Sequence, residues 1–138
     1  HWMSAHGPQV PPLVCAPPAR FTCTRPVFDF PRAGPGSQWR AGFLGRANHL
    51  VNELGIAIIR PNVRGSGGFG KAFLAAGSGA RRAHAGKDTA ALPEWVGKQP
   101  GLDEARTLVL GSGIAGQPDD DGFMAAAIDF ARRVEPPR

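Results

Sequence analysis

From Ala41 to Leu54 the apolar residues Phe43, Ala47, Leu50, Val51 and Leu54 recur at helical spacing, and Gly55 stands where a C-terminal cap would. Ile56, Ala57, Ile58 and Ile59 follow at once, apolar at every position. Such a run fits a strand buried on both faces of a parallel sheet, because a strand with one wet face would alternate apolar and polar residues. A helix feeding a doubly buried strand is the signature of an α/β fold.

Around that pair the other segments fall into place. Pro8, Pro11, Pro12, Pro17 and Pro18, with Pro26 just beyond, forbid a long helix near the N-terminus, and at most a short strand fits around Leu13–Ala16. Val27–Phe30 reads as a strand bounded by prolines, followed by the turn cluster Ala33–Ser37. Pro61–Gly70 reads as a flexible loop and Lys71–Ala76 as a short helix stopped by Gly77 and Gly79. Leu92, Trp95 and Val96 share one face of a helix over 87–98, but Pro93 removes a helical hydrogen bond, so that helix is kinked or begins late. Thr107–Leu110 reads as a strand. Phe123–Arg133 reads as a last helix with Phe123, Ala127, Ile128 and Ala131 inward. The expected organisation is a Pro-rich segment over 1–25 and an α/β domain over 26–138.

The chain has 138 residues, one domain's worth, enough to bury roughly two thirds of its unfolded surface. Its 19 glycines and 14 prolines are interrupted by periodic apolar segments, so they mark loops and not disorder. A formal charge of +5 comes from basic residues spread along the whole length, without dense runs or interleaved aromatics, which argues for a solvated basic surface and against a nucleic-acid partner. Cys15 and Cys23 are too few for a disulfide framework and have no metal-ligand partners at a recognisable spacing. No apolar stretch approaches the roughly 18 residues of a membrane span and no signal peptide opens the chain, so no membrane partner is expected and the compartment stays open. His1 opens the sequence and Met3 is its first methionine, so the chain need not begin where a gene begins.

Three glycine patterns carry candidate chemistry. The strand Thr107–Leu110 runs into Gly111-x-Gly113-x-x-Gly116, which fits a dinucleotide fingerprint and equally a strand-turn-helix elbow that exposes a nucleophile. Against the nucleotide, Pro118 is followed by Asp119, Asp120 and Asp121, whose charges would repel a pyrophosphate at a helix N-terminus. Gly65-x-Gly67-x-x-Gly70 also fits the dinucleotide fingerprint, and Gly65 with Gly70-Lys71 fits most of a P-loop. Both lack a strand leading straight into the glycines, and Ala72 replaces the magnesium-binding hydroxyl. His49 reads as a packed or surface histidine, and His84 has no carboxylate or cysteine partner at ligand spacing. No metal site and no cofactor is expected.

The series Ala33–Gln38, Phe43–Arg46, Leu50–Gly55, Pro61–Ser66, Gly70-Lys71, Lys87-Asp88, Leu92, Trp95, Gln99-Pro100, Leu102-Asp103 and Arg106 resembles, in order, the catalytic domain of the prolyl oligopeptidase family of serine peptidases, in particular its acylaminoacyl- and dipeptidyl-peptidase-like branches. The resemblance runs from about Val10 to Gly116. It implies a partial α/β-hydrolase-type three-layer fold with a mostly parallel sheet, and a peptide substrate where an intact homologous domain is formed.

Carried over residue by residue, the family's elbow serine falls on Gly113, with Ser112 one position early as the nearest candidate nucleophile; a second register from Phe123-Met124 puts Asp119 there. The oxyanion region falls on Arg32, where the family has histidine or tyrosine, and on Ile114. In α/β-hydrolases the acid and the histidine of the triad follow the nucleophile, yet the last histidine here is His84. The expectation is therefore the N-terminal portion of a serine peptidase domain, inactive as it stands, that self-associates through the sheet edge at Thr107–Leu110. A nucleotide-binding module on Gly111–Gly116 and a non-catalytic interaction fragment are the alternatives.

Overall fold

The structure, a computed structural model, describes residues 2–3, 9–29, 36, 38–109, 129–130 and 132–133. Strands β1 (Trp2–Met3) and β2 (Gln9–Val10) form a small antiparallel ribbon. The main sheet has four strands, β3 (Pro12–Cys15), β4 (Arg25–Asp29), β5 (Ala57–Pro61) and β6 (Leu102–Val109), in the order β3-β5-β4-β6. β4 runs parallel to both β5 and β6, and β3 is antiparallel to β5. The sheet is thus mostly parallel, as the buried run at Ile56–Ile59 predicts.

The β3–β5 ladder stops where Pro12 faces Pro61, two residues without an amide hydrogen. As an edge strand, β3 tolerates a proline at its first position.

Helices cover both faces. On one, α1 (Ala47–Asn52) packs Ala47, Leu50 and Val51 against Phe28 and Ile58, with Leu108 and Phe130 alongside. On the other, α4 (Leu92–Gly97) packs Leu92 and Val96 against Val27, Ala57 and Ile59. This is a three-layer α/β sandwich, and Phe28, Ile58, Val27 and Ile59 are fully buried at its centre. The alternation of one strand's side chains between the two clusters follows from the two-residue period of the pleat.

Several elements differ from the sequence reading. The helix predicted over 41–54 is confined to Ala47–Asn52, because Gly42 and Gly45 precede it and Gly45 takes φ +57°, outside helical backbone. Phe43 consequently stands 91% exposed, not inward. The C-terminal stop is as expected: Gly55 has φ +67°, and the Ile56 amide donates to the Leu50 carbonyl at 3.0 Å.

α2 spans Lys71–Ala75 and α3 spans Arg82–Ala90, with a 3-10 turn at Gly79–Arg81 between them. α3 has no apolar stripe that sequence periodicity could detect. Pro93 lies in the first turn of α4, where its missing amide costs no helical bond, so the 87–98 segment is two helices meeting at Ala91. β6 begins at Leu102, well before Thr107. Its first half is polar and crosses a bulge opposite Arg25 and Val27. Asp129, Phe130, Arg132 and Arg133 are helical, whereas Phe123, Ala127, Ile128 and Ala131 lie outside the described residues.

Candidate active site at the carboxyl end of the sheet

In parallel α/β sheets ligands sit beyond the carboxyl ends of the strands, in the crevice between neighbours whose following segments leave toward opposite faces. Here that crevice lies between β4 and β5, since α1 follows β4 on one face and α4 follows β5 on the other. Asp29 ends β4, Pro61 ends β5 and Val109 ends β6, with Asp29 in register with both Ile59 and Val109.

Asp29 is fully buried, and neither carboxylate oxygen has a hydrogen-bond partner among the described residues. Burial alone pushes its carboxyl from the ordinary 3.8 up to about 8, because a charge there is stripped of water without compensation. At neutral pH Asp29 is consequently held mostly as the neutral acid.

The segment after β5 is not the flexible loop that its composition predicts: Pro61–Ser66 is buried throughout. Arg64, 6% exposed, meets the fully buried Asp88 of α3. Its Nη2 donates to Asp88 Oδ1 at 2.6 Å and its Nε to Oδ2 at 2.9 Å, while its main-chain amide donates to Oδ2 at 3.1 Å. A further Nη2 bond reaches the carbonyl of His84 at 3.2 Å. This planar fork-on-carboxylate geometry suits arginine and not lysine.

Asn62 fastens the other side of the crevice. Its Oδ1 accepts from the Trp39 amide at 2.7 Å and its Nδ2 donates to the Trp39 carbonyl at 3.2 Å. The Gly36 amide donates to the Gly65 carbonyl at 3.0 Å, and the Arg60 guanidinium stacks 4.6 Å from the centre of the Trp39 ring.

These contacts also dispose of the Gly65–Gly70 phosphate motif. The Gly65 amide donates to the Phe73 carbonyl at 3.0 Å, and a phosphate cradle would need it free.

The candidate residues Arg32, Ser112 and Ile114, and with them Gly111, Gly113, Gly116 and Asp119–Asp121, lie outside the described residues. In sequence, Arg32 follows the carboxyl end of β4, and Ser112 and Ile114 follow that of β6. His49 is exposed on α1, and His84 meets Arg64 through its main-chain carbonyl. Among the described residues no group of three His, Cys, Asp or Glu side chains could hold a metal, and no helix is long and apolar enough to cross a membrane. An open groove of about 700 Å³ lined by Thr24, Pro93, Gly97, Leu102, Asp103 and Glu104 sits at the amino end of β6, away from this crevice.

The residues that sequence reading missed are Asp29, Asn62 and the Arg64–Asp88 pair. A lone acid inside the apolar run Val27–Phe30 was the available signal for Asp29. Nothing local signals a pair 24 residues apart with α2 and a 3-10 turn between its members.

Residues 43–116, more than half of the chain, match the prolyl oligopeptidase family. The chain belongs to the prolyl oligopeptidase family. No match is found among curated proteins.

Among solved structures the chain is similar to a prolyl endopeptidase, at 22% identity and a TM-score of 0.67 over 77% of this chain. A post-proline cleaving enzyme from Rickettsia typhi is similar at 19% identity and a TM-score of 0.64, again over 77% of this chain. A protein described as a dipeptidyl aminopeptidase IV from Bacteroides ovatus follows at 22% identity and 0.58, over 74%. At these identities the likeness establishes the fold. The chain spans 16% of the first two structures and 17% of the third.

Proposed function

We propose that the chain supplies the amino-terminal portion of a serine peptidase catalytic scaffold, with the β4–β5 crevice facing substrate, and that these 138 residues are inactive by themselves. Family membership and the fold support the scaffold reading. The observation that carries the inactive reading is chain order: all four histidines, the last being His84, precede Ser112. His84 lies on α3 beside the Arg64–Asp88 pair, and its carbonyl is already engaged there.

A serine hydroxyl without a general base is a weak nucleophile, because its proton has nowhere to go as the carbonyl is attacked. In an assembled site of this kind the elbow serine attacks a peptide carbonyl, a histidine takes the proton, and amides near the segments after β4 and β6 hold the oxyanion. Peptide substrate is therefore the expected ligand of an intact homologous domain.

The test is reaction with a fluorophosphonate probe, which labels activated serines. The 138-residue chain should remain unlabelled, as judged by intact mass. Stoichiometric labelling at Ser112 would overturn the inactive reading.

A further inference from the structure

Asp29 is the last residue of β4, a central strand, and in register it lies between Ile59 of β5 and Val109 of β6. Val27, two residues earlier, packs with Ile59, Leu92 and Val96, so the pleat sends the Asp29 side chain to the face that α4 covers. On that face β5 offers Ile59 and Pro61, β6 offers Thr107 and Val109, and α4 offers Leu92 and Val96. None of these carries a charge. The charged groups of the helices there are committed or solvated: Asp88 is held by Arg64, Glu94 pairs with Lys98 at 2.7 Å, and Lys87 and the half-buried His84 reach solvent. Arg60 lies on the opposite face over Trp39, and Arg106 is bonded at the amino end of the seam to Asp103 and the Thr24 carbonyl.

The two flanks of Asp29 are unequal. β5 is paired on both sides, with β3 and with β4, and Ile59 is fully buried. β6 has β4 as its one neighbour among the described residues, and Val109 is 41% exposed. Solvent therefore stands one strand away from a fully buried carboxyl that has no partner for either oxygen. A charge there cannot be held without compensation, and the shortest way to water is for the end of β6 to leave β4. We propose that Asp29 is a proton-operated latch on the β4–β6 seam: with its proton on, the carboxyl ends of the two strands stay paired, and with it off, Leu108 and Val109 part from Phe28 and Asp29 so that water reaches the carboxylate. The β4–β5 side stays fixed throughout. The latch requires nothing of the peptidase reading, and it makes the carboxyl end of the sheet respond to pH.

The experiment is hydrogen exchange at residue resolution across a pH series, on the full 138-residue chain and on Asp29→Asn, read as protection factors, which remove the intrinsic pH dependence of exchange. With the Asp29 carboxyl at about 8 when the seam is closed and at its ordinary 3.8 when wetted, every opening that wets it favours release of its proton. In the parent, the protected amides among Thr107, Leu108 and Val109 should then lose up to about tenfold in protection per pH unit between about pH 5 and about pH 8. Small additions of urea should leave those amides unchanged, because parting the strand ends exposes little surface, whereas Ile58 and Ile59 should lose protection with urea in step with global unfolding. Asp29→Asn keeps the shape of the side chain and cannot ionise, so protection at the end of β6 should stay within about twofold over the same interval.

Protection at the end of β6 that is independent of pH in the parent would overturn the proposal, since the strands would then part without wetting Asp29 or not part at all. The same slope in Asp29→Asn would overturn it too. So would a urea dependence at Leu108 and Val109 equal to that of Ile58 and Ile59, which is the behaviour of a chain that opens only by unfolding whole. Should Asp29→Asn fail to fold, the pH and urea series on the parent decide by themselves.

Discussion

Asp29 occupies a position that an apolar residue would fill without penalty. With its carboxyl held near 8 in the folded chain and near 3.8 in the unfolded one, folding takes up a proton over the interval between. Its contribution is then fully present below about pH 4 and is lost as pH rises toward about 8, with a slope of up to ~1.4 kcal/mol per pH unit. An asparagine in its place would keep the shape of the side chain and abolish the titration. We expect Asp29→Asn to be the more stable chain at about pH 8 and to show a flatter dependence down to about pH 5, with urea midpoints as the measurement. Equal slopes for parent and variant would mean that Asp29 is ionised and compensated in the fold. The opposite case is Arg64–Asp88, where both charges are buried and the fork satisfies them, so the pair holds a loop in place where Asp29 only costs stability.

At the scale of elements, the junction from α1 to β5 is a short turn that one glycine controls. Gly55 combines φ +67° with a close approach of the Phe21 ring, which a Cβ would meet at 2.6 Å. Gly45, at the start of the same helix, has φ +57° and open space around it. Gly45→Ala should therefore lose only the left-handed backbone cost of about 1–2 kcal/mol, and Gly55→Ala about 1–3 kcal/mol more through the displaced ring. Urea denaturation of the two variants side by side checks the difference, and equal losses would show that Phe21 swings away freely.

This junction was legible in sequence because every signal in it is local: helical spacing, then glycine, then four apolar residues. The amino half of β6 was not, since Asp103, Glu104 and Arg106 look solvated until one sees Arg106 donating to Asp103 at 2.7 Å and to the Thr24 carbonyl at 2.6 Å. α3 was hidden for the same reason. What secures it is the long-range tie of Asp88 to Arg64. The candidate site was legible to the extent that its residue types follow strand ends in sequence. The crevice itself arises from connectivity across the sheet, which no spacing encodes.

For the molecule as a whole, the outer edge of the sheet at β6 is the surface with the most consequence. β6 has one neighbour, β4, among the described residues, and Val109 at its carboxyl end is 41% exposed. An edge strand of eight residues offers amides and carbonyls to another chain unless charge discourages pairing. Glu104 and Arg106 supply charge in the amino half, while Thr107, Leu108 and Val109 supply none. We propose that this edge is where two copies of the chain would pair, in which case Val109→Lys should weaken the association by about tenfold, since two such edges would bring like charges together on pairing. Sedimentation across a concentration series reads this directly, and an unchanged association constant would place the contact elsewhere.

The strand order β3-β5-β4-β6 also imposes a schedule on synthesis. By the time Pro61 leaves the ribosome, β3, β4 and β5 all exist, and so does α1, so Phe28, Ile58 and Leu50 can close one side of the sheet. Val27 and Ile59 on the other side must wait for Leu92 and Val96, and β4 waits longer still for β6. During that interval the nascent chain carries one face partly covered by α1, one open face and a β4 strand paired on the β5 side alone. Contacts this distant along the chain form slowly. The stretch of translation from Asn62 to Gly101 is thus when the newborn polypeptide is most open to capture by a chaperone or by a neighbouring copy.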